Sequence, residues 1–125
     1  MRVKEFMTAP AAAVAPGDSL HVADGIMTLG GIRHLPVVTD GKVVGILSQR
    51  DVLGAPSALA PVDGLAVDSA AVLKLIQVRE VMSTPPVMIG PEATLAEAAA
   101  RLVEHRVGCL PVVESGAVTG ILTTS

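Results

Sequence analysis

Ser48 and Asp51 stand three positions apart in "GILSQRD", directly after an apolar run. A hydroxyl and a carboxylate at that spacing suit two tasks. Ser at a helix N-cap with an acid three residues later is nearly a capping box, and the acid also complements the helix dipole. Equally, an ionised acid offers two oxygens to a diol, while the open N–H groups of a helix start attract phosphate. Arg33 and His34, just before "LPVV", are either anion contacts or solvated residues at a strand entrance. His105 and Cys109 are four apart, but Gly108 breaks the helix between them and no further ligands cluster nearby. Cys109 therefore reads as a buried, inert thiol, and no metal site is expected. His21, His34 and His105 have no evident nucleophile or acid partners, so no catalytic residues are assigned and an enzyme is not expected. Met7, Met27, Met82 and Met88 read as flexible core filler.

The chain around these residues is 125 residues long, the size of one ordinary domain. Half of it is apolar, in short runs broken by Gly, Pro and charge, which excludes a disordered chain. No run is long enough to span a bilayer, and "MRVKEFMTAP" lacks the apolar segment of a secretory signal. The single cysteine allows no intramolecular disulfide, so a cytoplasmic protein without a membrane partner is expected. A net charge of −3 with no basic stretch argues against nucleic acid. Tyr and Trp are absent and Phe6 is the one aromatic residue, so a planar ligand would lie between aliphatic side chains.

The elements that must position these residues follow from an internal repeat. Shifting the chain by 75 positions lays residues 3–50 over 78–125 without a gap. "VKEFMTAP" falls on "VREVMSTP", and "LPVVTDGKVVGIL" on "LPVVESGAVTGIL". Two copies are too few for a solenoid and are expected to pack about a pseudo-two-fold axis. Each copy reads as a short helical turn (3–7, 78–82), an extended run ("AAAV", "PVMI") and a helix N-capped by Ser19 or Thr94, the latter in a capping box with Glu97. Leu20, Ala23, Ile26 and Met27 give one helix its buried face; Leu95, Ala98, Ala99, Leu102 and Val103 give the other. Two β-branched runs then meet at Asp40-Gly41 or Ser115-Gly116, the chemistry of a tight hairpin turn. Ser48 starts a final helix in the first copy. The predicted class is α+β: two β-α-β-β-α units with helices on one face of a small mixed sheet. The expected boundaries are 1–54, a linker with a short helix over 55–77, and 78–125. The Ala-, Pro- and Gly-rich stretch 54–64 reads as linker and 69–77 as a helix joining the copies. The second copy reaches Ser125 where its last helix should begin, so further chain or a partner subunit is expected to supply that cover.

The duplicated motifs "VKEFMTAP", "RHLPVVTDGKVVGILSQRD", "VREVMSTPPVMIGP" and "VGCLPVVESGAVTGILT" resemble a tandem CBS domain pair, or Bateman module, over nearly the whole chain. The resemblance implies a non-catalytic regulatory module that binds AMP, ADP, ATP or S-adenosylmethionine between its copies, requires no other cofactor, forms homodimers and controls an enzyme or transporter. It places Ser48 and Asp51 in one cavity with Ser83, Val87, Gly108, Cys109 and Leu110, where Asp51 would take the ribose hydroxyls. A second cavity would use Thr123 with Thr8, Ala12, Ile32, Arg33 and His34. The position matching Asp51 falls one residue past Ser125, so the second cavity has no ribose acid in this sequence. The first has the acid without the basic pair, which Arg33 and His34 would supply from next door, with Arg50 a weaker candidate. One adenosine site centred on Asp51 is therefore expected. The rival reading is a ligand-independent dimerisation scaffold.

Overall fold

The computed structural model describes residues 1–58 and 69–124; part of the predicted linker and Ser125 lie outside them. Helix α1 (Leu20–Gly30) begins where Ser19 Oγ accepts the Val22 N–H at 3.2 Å and ends at Gly31, whose φ of 61° suits a glycine C-cap. Its partner by repeat, α4 (Leu95–His105), starts where Thr94 Oγ1 accepts the Glu97 N–H at 3.1 Å. Only this half of the predicted capping box forms.

Strands β1 (His34–Thr39) and β2 (Lys42–Ser48) make one antiparallel hairpin, and β3 (Cys109–Glu114) and β4 (Ala117–Thr123) the other. Both turn on two left-handed residues, Asp40-Gly41 (φ 51° and 79°) and Ser115-Gly116 (φ 52° and 84°), as turn chemistry requires. Each hairpin carries an irregularity at the same place, Val37/Val38 and Val112/Val113. There the preceding segment docks in parallel: Val14 bridges Val37, and Ile89 bridges Val112. The expected "AAAV" and "PVMI" strands thus shrink to one bridging residue each.

Helix α2 (Gln49–Ala58) runs through Gly54, where a linker was expected. Val52 and Ala55 bury their side chains in the first core, and that packing outweighs the roughly 1 kcal/mol helix penalty of a glycine. Helix α3 (Ser69–Leu73) is shorter than the predicted 69–77. The Ile76 carbonyl accepts the Leu20 N–H at 2.9 Å, and Gln77 bridges Ser19, so the chain is committed to extended pairing there. No helix among the described residues is long and apolar enough to cross a membrane.

The two copies exchange their first segments. Val3, at the head of the first copy, is fully buried with Ile89, Ala98, Leu110 and Val112 of the second; Val78 is fully buried with Leu20, Leu35, Val37 and Leu47 of the first. Backbone bonds repeat the exchange about a two-fold: Val3 N–H to Ala93 O (2.9 Å) against Val78 N–H to Asp18 O (2.8 Å). Past these turns, Thr8 and Ile121 bond each other's N–H and carbonyl at 2.9 and 3.0 Å, while Ile46 and Ser83 do so at 3.1 and 2.9 Å. Gly45 and Gly120 make room for this seam, since a Cβ on Gly45 would lie 3.0 Å from the Ser83 carbonyl and one on Gly120 would lie 2.9 Å from that of Thr8.

The helical faces are unequal. Helix α1 packs against both α2 and α3 and buries Leu20, Ala23 and Met27, with Ile26 partly covered. On α4 only Ala98 is fully buried; Leu102 is half-covered, Ala99 is exposed and Val103 is 78% exposed. Among the described residues α4 has no comparable helical neighbour, which narrows its buried stripe.

Candidate functional site

The seam between the copies opens into two cavities. Because Ser83 pairs with Ile46, the segment carrying Ser83, Pro85, Pro86 and Val87 is drawn along β2 toward the start of α2. A cavity of about 380 Å³ forms there, lined by these residues, Ser48, Arg50, Asp51 and His34 from the first copy, and Arg106, Val107, Gly108 and Cys109 from the second. Six of the seven residues expected in the first cavity, Ser48, Asp51, Ser83, Val87, Gly108 and Cys109, line it. Leu110 does not: its side chain is fully buried in the second core, on the opposite side of its strand.

Ser48 and Asp51 form the capping pair. The Asp51 N–H donates to Ser48 Oγ at 3.1 Å, and the Ser48 N–H donates to Asp51 Oδ2 at 3.0 Å. No described residue bonds Oδ1. A carboxylate with one oxygen free keeps acceptor sites for a diol, so the two tasks of this pair are compatible.

The second cavity, about 530 Å³, brings together Thr8, Ala12, Ile32, Arg33, His34 and Thr123, all six of the residues expected there. Pro10, Ala11, Gly30, Gly31 and Ile121 complete the wall, which holds no carboxylate among the described residues. A shallower groove of about 630 Å³ along Arg33, His34, Ser48, Gln49, Arg50 and Leu53 joins the two mouths.

The family profile of the CBS domain matches residues 3–58 and 78–125. The chain belongs to the CBS domain family. This CBS pair is 30% identical over 120 residues to CBS domain-containing protein YhcV of Bacillus subtilis, covering 96% of this chain and 78% of that one. It is 32% identical over 123 residues to inosine-5'-monophosphate dehydrogenase of Korarchaeum cryptofilum, covering 98% of this chain but only 22% of the dehydrogenase. The crystal structure of CBSX2 in complex with AMP superposes with a TM-score of 0.77 at 28% identity, covering 98% of this chain and 90% of that one.

Within the CBS pair His34 is the wall common to both cavities and the groove. Its ring lies against Gly108, where an added Cβ would stand 3.0 Å from Nε2; the glycine that replaces Arg33 in the second copy admits the histidine of the first. His34 Nδ1 is buried without a hydrogen-bond partner. Burial lowers the His34 pKa below its usual 6.5, against the pull of the Asp51 charge and with the help of Arg33. Burial also pushes the Cys109 thiol up to about 12, so it stays protonated at neutral pH.

Arg33 opens into the second cavity and the groove, not the first cavity, whose cations are Arg50 and Arg106. The first cavity was expected to have no basic pair of its own and to borrow Arg33 and His34, with Arg50 a weaker candidate; His34 and Arg50 do line it, and Arg106, which caps α4 with φ 54°, was not foreseen. Reading the repeat would have exposed it: residue 106 falls on Gly31, the left-handed cap of α1. Ile46, Pro85, Pro86 and Val107 were likewise missed, because the exchange that lines them up is not local in sequence. Met82 packs against the first core and, with Met7 on the second, fills the seam; neither lines the cavities.

Proposed function

We propose that this CBS pair is a non-catalytic regulatory module that binds an adenosine derivative in the cavity centred on Asp51. The observation that carries this reading is the meeting in one cavity of a carboxylate with a spare oxygen, Ser48, and two arginines, Arg50 from the start of α2 and Arg106 from the end of α4. An apolar wall of Ile46, Pro85, Pro86, Val87 and Val107 stands opposite. The aliphatic residues suit a purine in a chain almost without aromatic residues, Asp51 suits the ribose diol, and Arg50 and Arg106 suit a phosphate. The likeness to CBSX2, solved with AMP, supports the same ligand class. Pairing of two such modules into a homodimer, and control of an attached or associated enzyme or transporter in the cytoplasm, belong to this reading. A match to about one-fifth of a dehydrogenase supports the enzyme as the controlled partner.

A thermal-shift panel of AMP, ADP, ATP and S-adenosylmethionine tests the proposal. A ligand at a hundred times its dissociation constant should add about 2.7 kcal/mol of stability. Asp51→Asn keeps an acceptor for the Ser48 N–H while removing the charge, and should weaken binding about ten-fold. Equal affinity in both proteins would sink the role of Asp51. A second reading, a dimerisation scaffold indifferent to ligands, is favoured by the hydrogen bonds that already engage Asp51 in capping. It predicts no shift with any compound and an unaltered dimer on sedimentation.

A further inference from the structure

The first cavity inverts the charge of the molecule that surrounds it. Acidic residues outnumber basic ones twelve to nine along the chain, yet the cavity sets two arginines against one carboxylate. Asp51 is partly spent on the Ser48 N–H, whereas neither guanidinium has an ion pair or hydrogen bond among the described residues. Arg106 holds its place by an exceptional backbone. It sits at φ 54°, the left-handed conformation in which the first copy uses Gly31. The Arg106 N–H closes the helix on the Leu102 and Val103 carbonyls as a glycine's would, but its long cationic side chain makes no hydrogen bond or ion pair among the described residues, and an outlier of this kind points to function.

We infer that Arg106 is a specificity-determining residue of this cavity, selecting adenosine compounds that carry a phosphate over neutral nucleosides and over the sulfonium cation of S-adenosylmethionine. The inference rests on the adenosine reading above. Two cations reward an anion, and they repel a positive sulfonium placed beside the ribose. The second cavity carries Gly31 at the matching position, so the contribution of Arg106 belongs to the first cavity.

Calorimetric titration of AMP, adenosine and S-adenosylmethionine, at low and high salt, tests it on the wild-type chain, Arg106→Gly and Arg106→Lys. Glycine suits the backbone at this position, so the variant keeps the fold. The wild type should bind AMP at least about ten-fold more tightly than either other compound, the effect of one charge-assisted hydrogen bond. Arg106→Gly should lose that preference, so that AMP and adenosine bind alike; Arg106→Lys should regain part of it, and salt should shrink it. An unchanged AMP-to-adenosine ratio in Arg106→Gly, or wild-type binding of S-adenosylmethionine as tight as of AMP, overturns the inference. Adenosine binding that Asp51→Asn weakens, with AMP no tighter, overturns the inference and leaves the adenosine site standing; no binding of any compound overturns both.

Discussion

Asp51 spends one carboxylate oxygen on the fold and leaves the other without a partner among the described residues. Its stability and binding roles should therefore separate by substitution. Asp51→Ala removes one half of the cap and should cost about 1 kcal/mol in urea denaturation without ligand, with Asp51→Asn costing less. His34 makes the opposite case, a side chain at the seam whose buried Nδ1 is unpaired. Because its pKa is lower folded than unfolded, the unfolded chain binds more protons between those two values, and stability falls as pH drops from about 6.5 through the folded value. Melting temperatures between pH 7.5 and 5 should show this loss, and His34→Gln should flatten it; an equal slope in the variant would assign the loss elsewhere. Both readings of Ser48-x-x-Asp51 were legible in the sequence because capping is local chemistry. The contact of His34 with Gly108 was not, since 74 residues separate them.

At the scale of elements, the hairpin turns and the caps of α1 and α4 were readable for the same reason: Asp40-Gly41, Ser115-Gly116, Ser19 and Thr94 act on neighbours a few residues away. The seam needed the fold. Gly45 and Gly120 looked like ordinary repeat identities, yet they let Ser83 and Thr8 pair with the strands of the opposite copy. Gly45→Ala would place its Cβ 2.8 Å from Met82 Sδ and 3.0 Å from the Ser83 carbonyl. The thioether is able to swing away; the carbonyl is held by its bond to the Ile46 N–H. Overpacking here should cost roughly 1–3 kcal/mol, as should Gly120→Ala. Gly116→Ala meets open space and should cost about 1 kcal/mol through its φ of 84° alone. Chemical denaturation of the three variants orders these costs, and a Gly45→Ala protein as stable as the wild type would contradict the tight seam.

For the whole molecule, the exchanged turns tie two cores into one unit. Val3 touches only the second core, but its turn leads directly into Thr8, which pairs with Ile121. Val3→Ala should cost about 2 kcal/mol. Hydrogen exchange should show the loss spread equally over β1–β2 and β3–β4, although no part of the first core is altered. Loss confined to β3–β4, or two separate melting transitions, would mean that the halves open independently. The sequence exposed the duplication and its symmetry; it could not expose that each copy completes the other, because a hydrophobic pattern says which residues are buried and not against whom.

The reciprocal bonds of the seam have one more consequence. Among the described residues, every backbone bond between the first copy and the second is matched by one displaced 75 residues along the chain, as in the isologous contact of two identical subunits. A half-length polypeptide of this pattern would find its complement in its own twin. Fusing the twins end to end turns a meeting that depends on dilution into a permanent one, and frees each side to lose or gain a guanidinium without losing its mate.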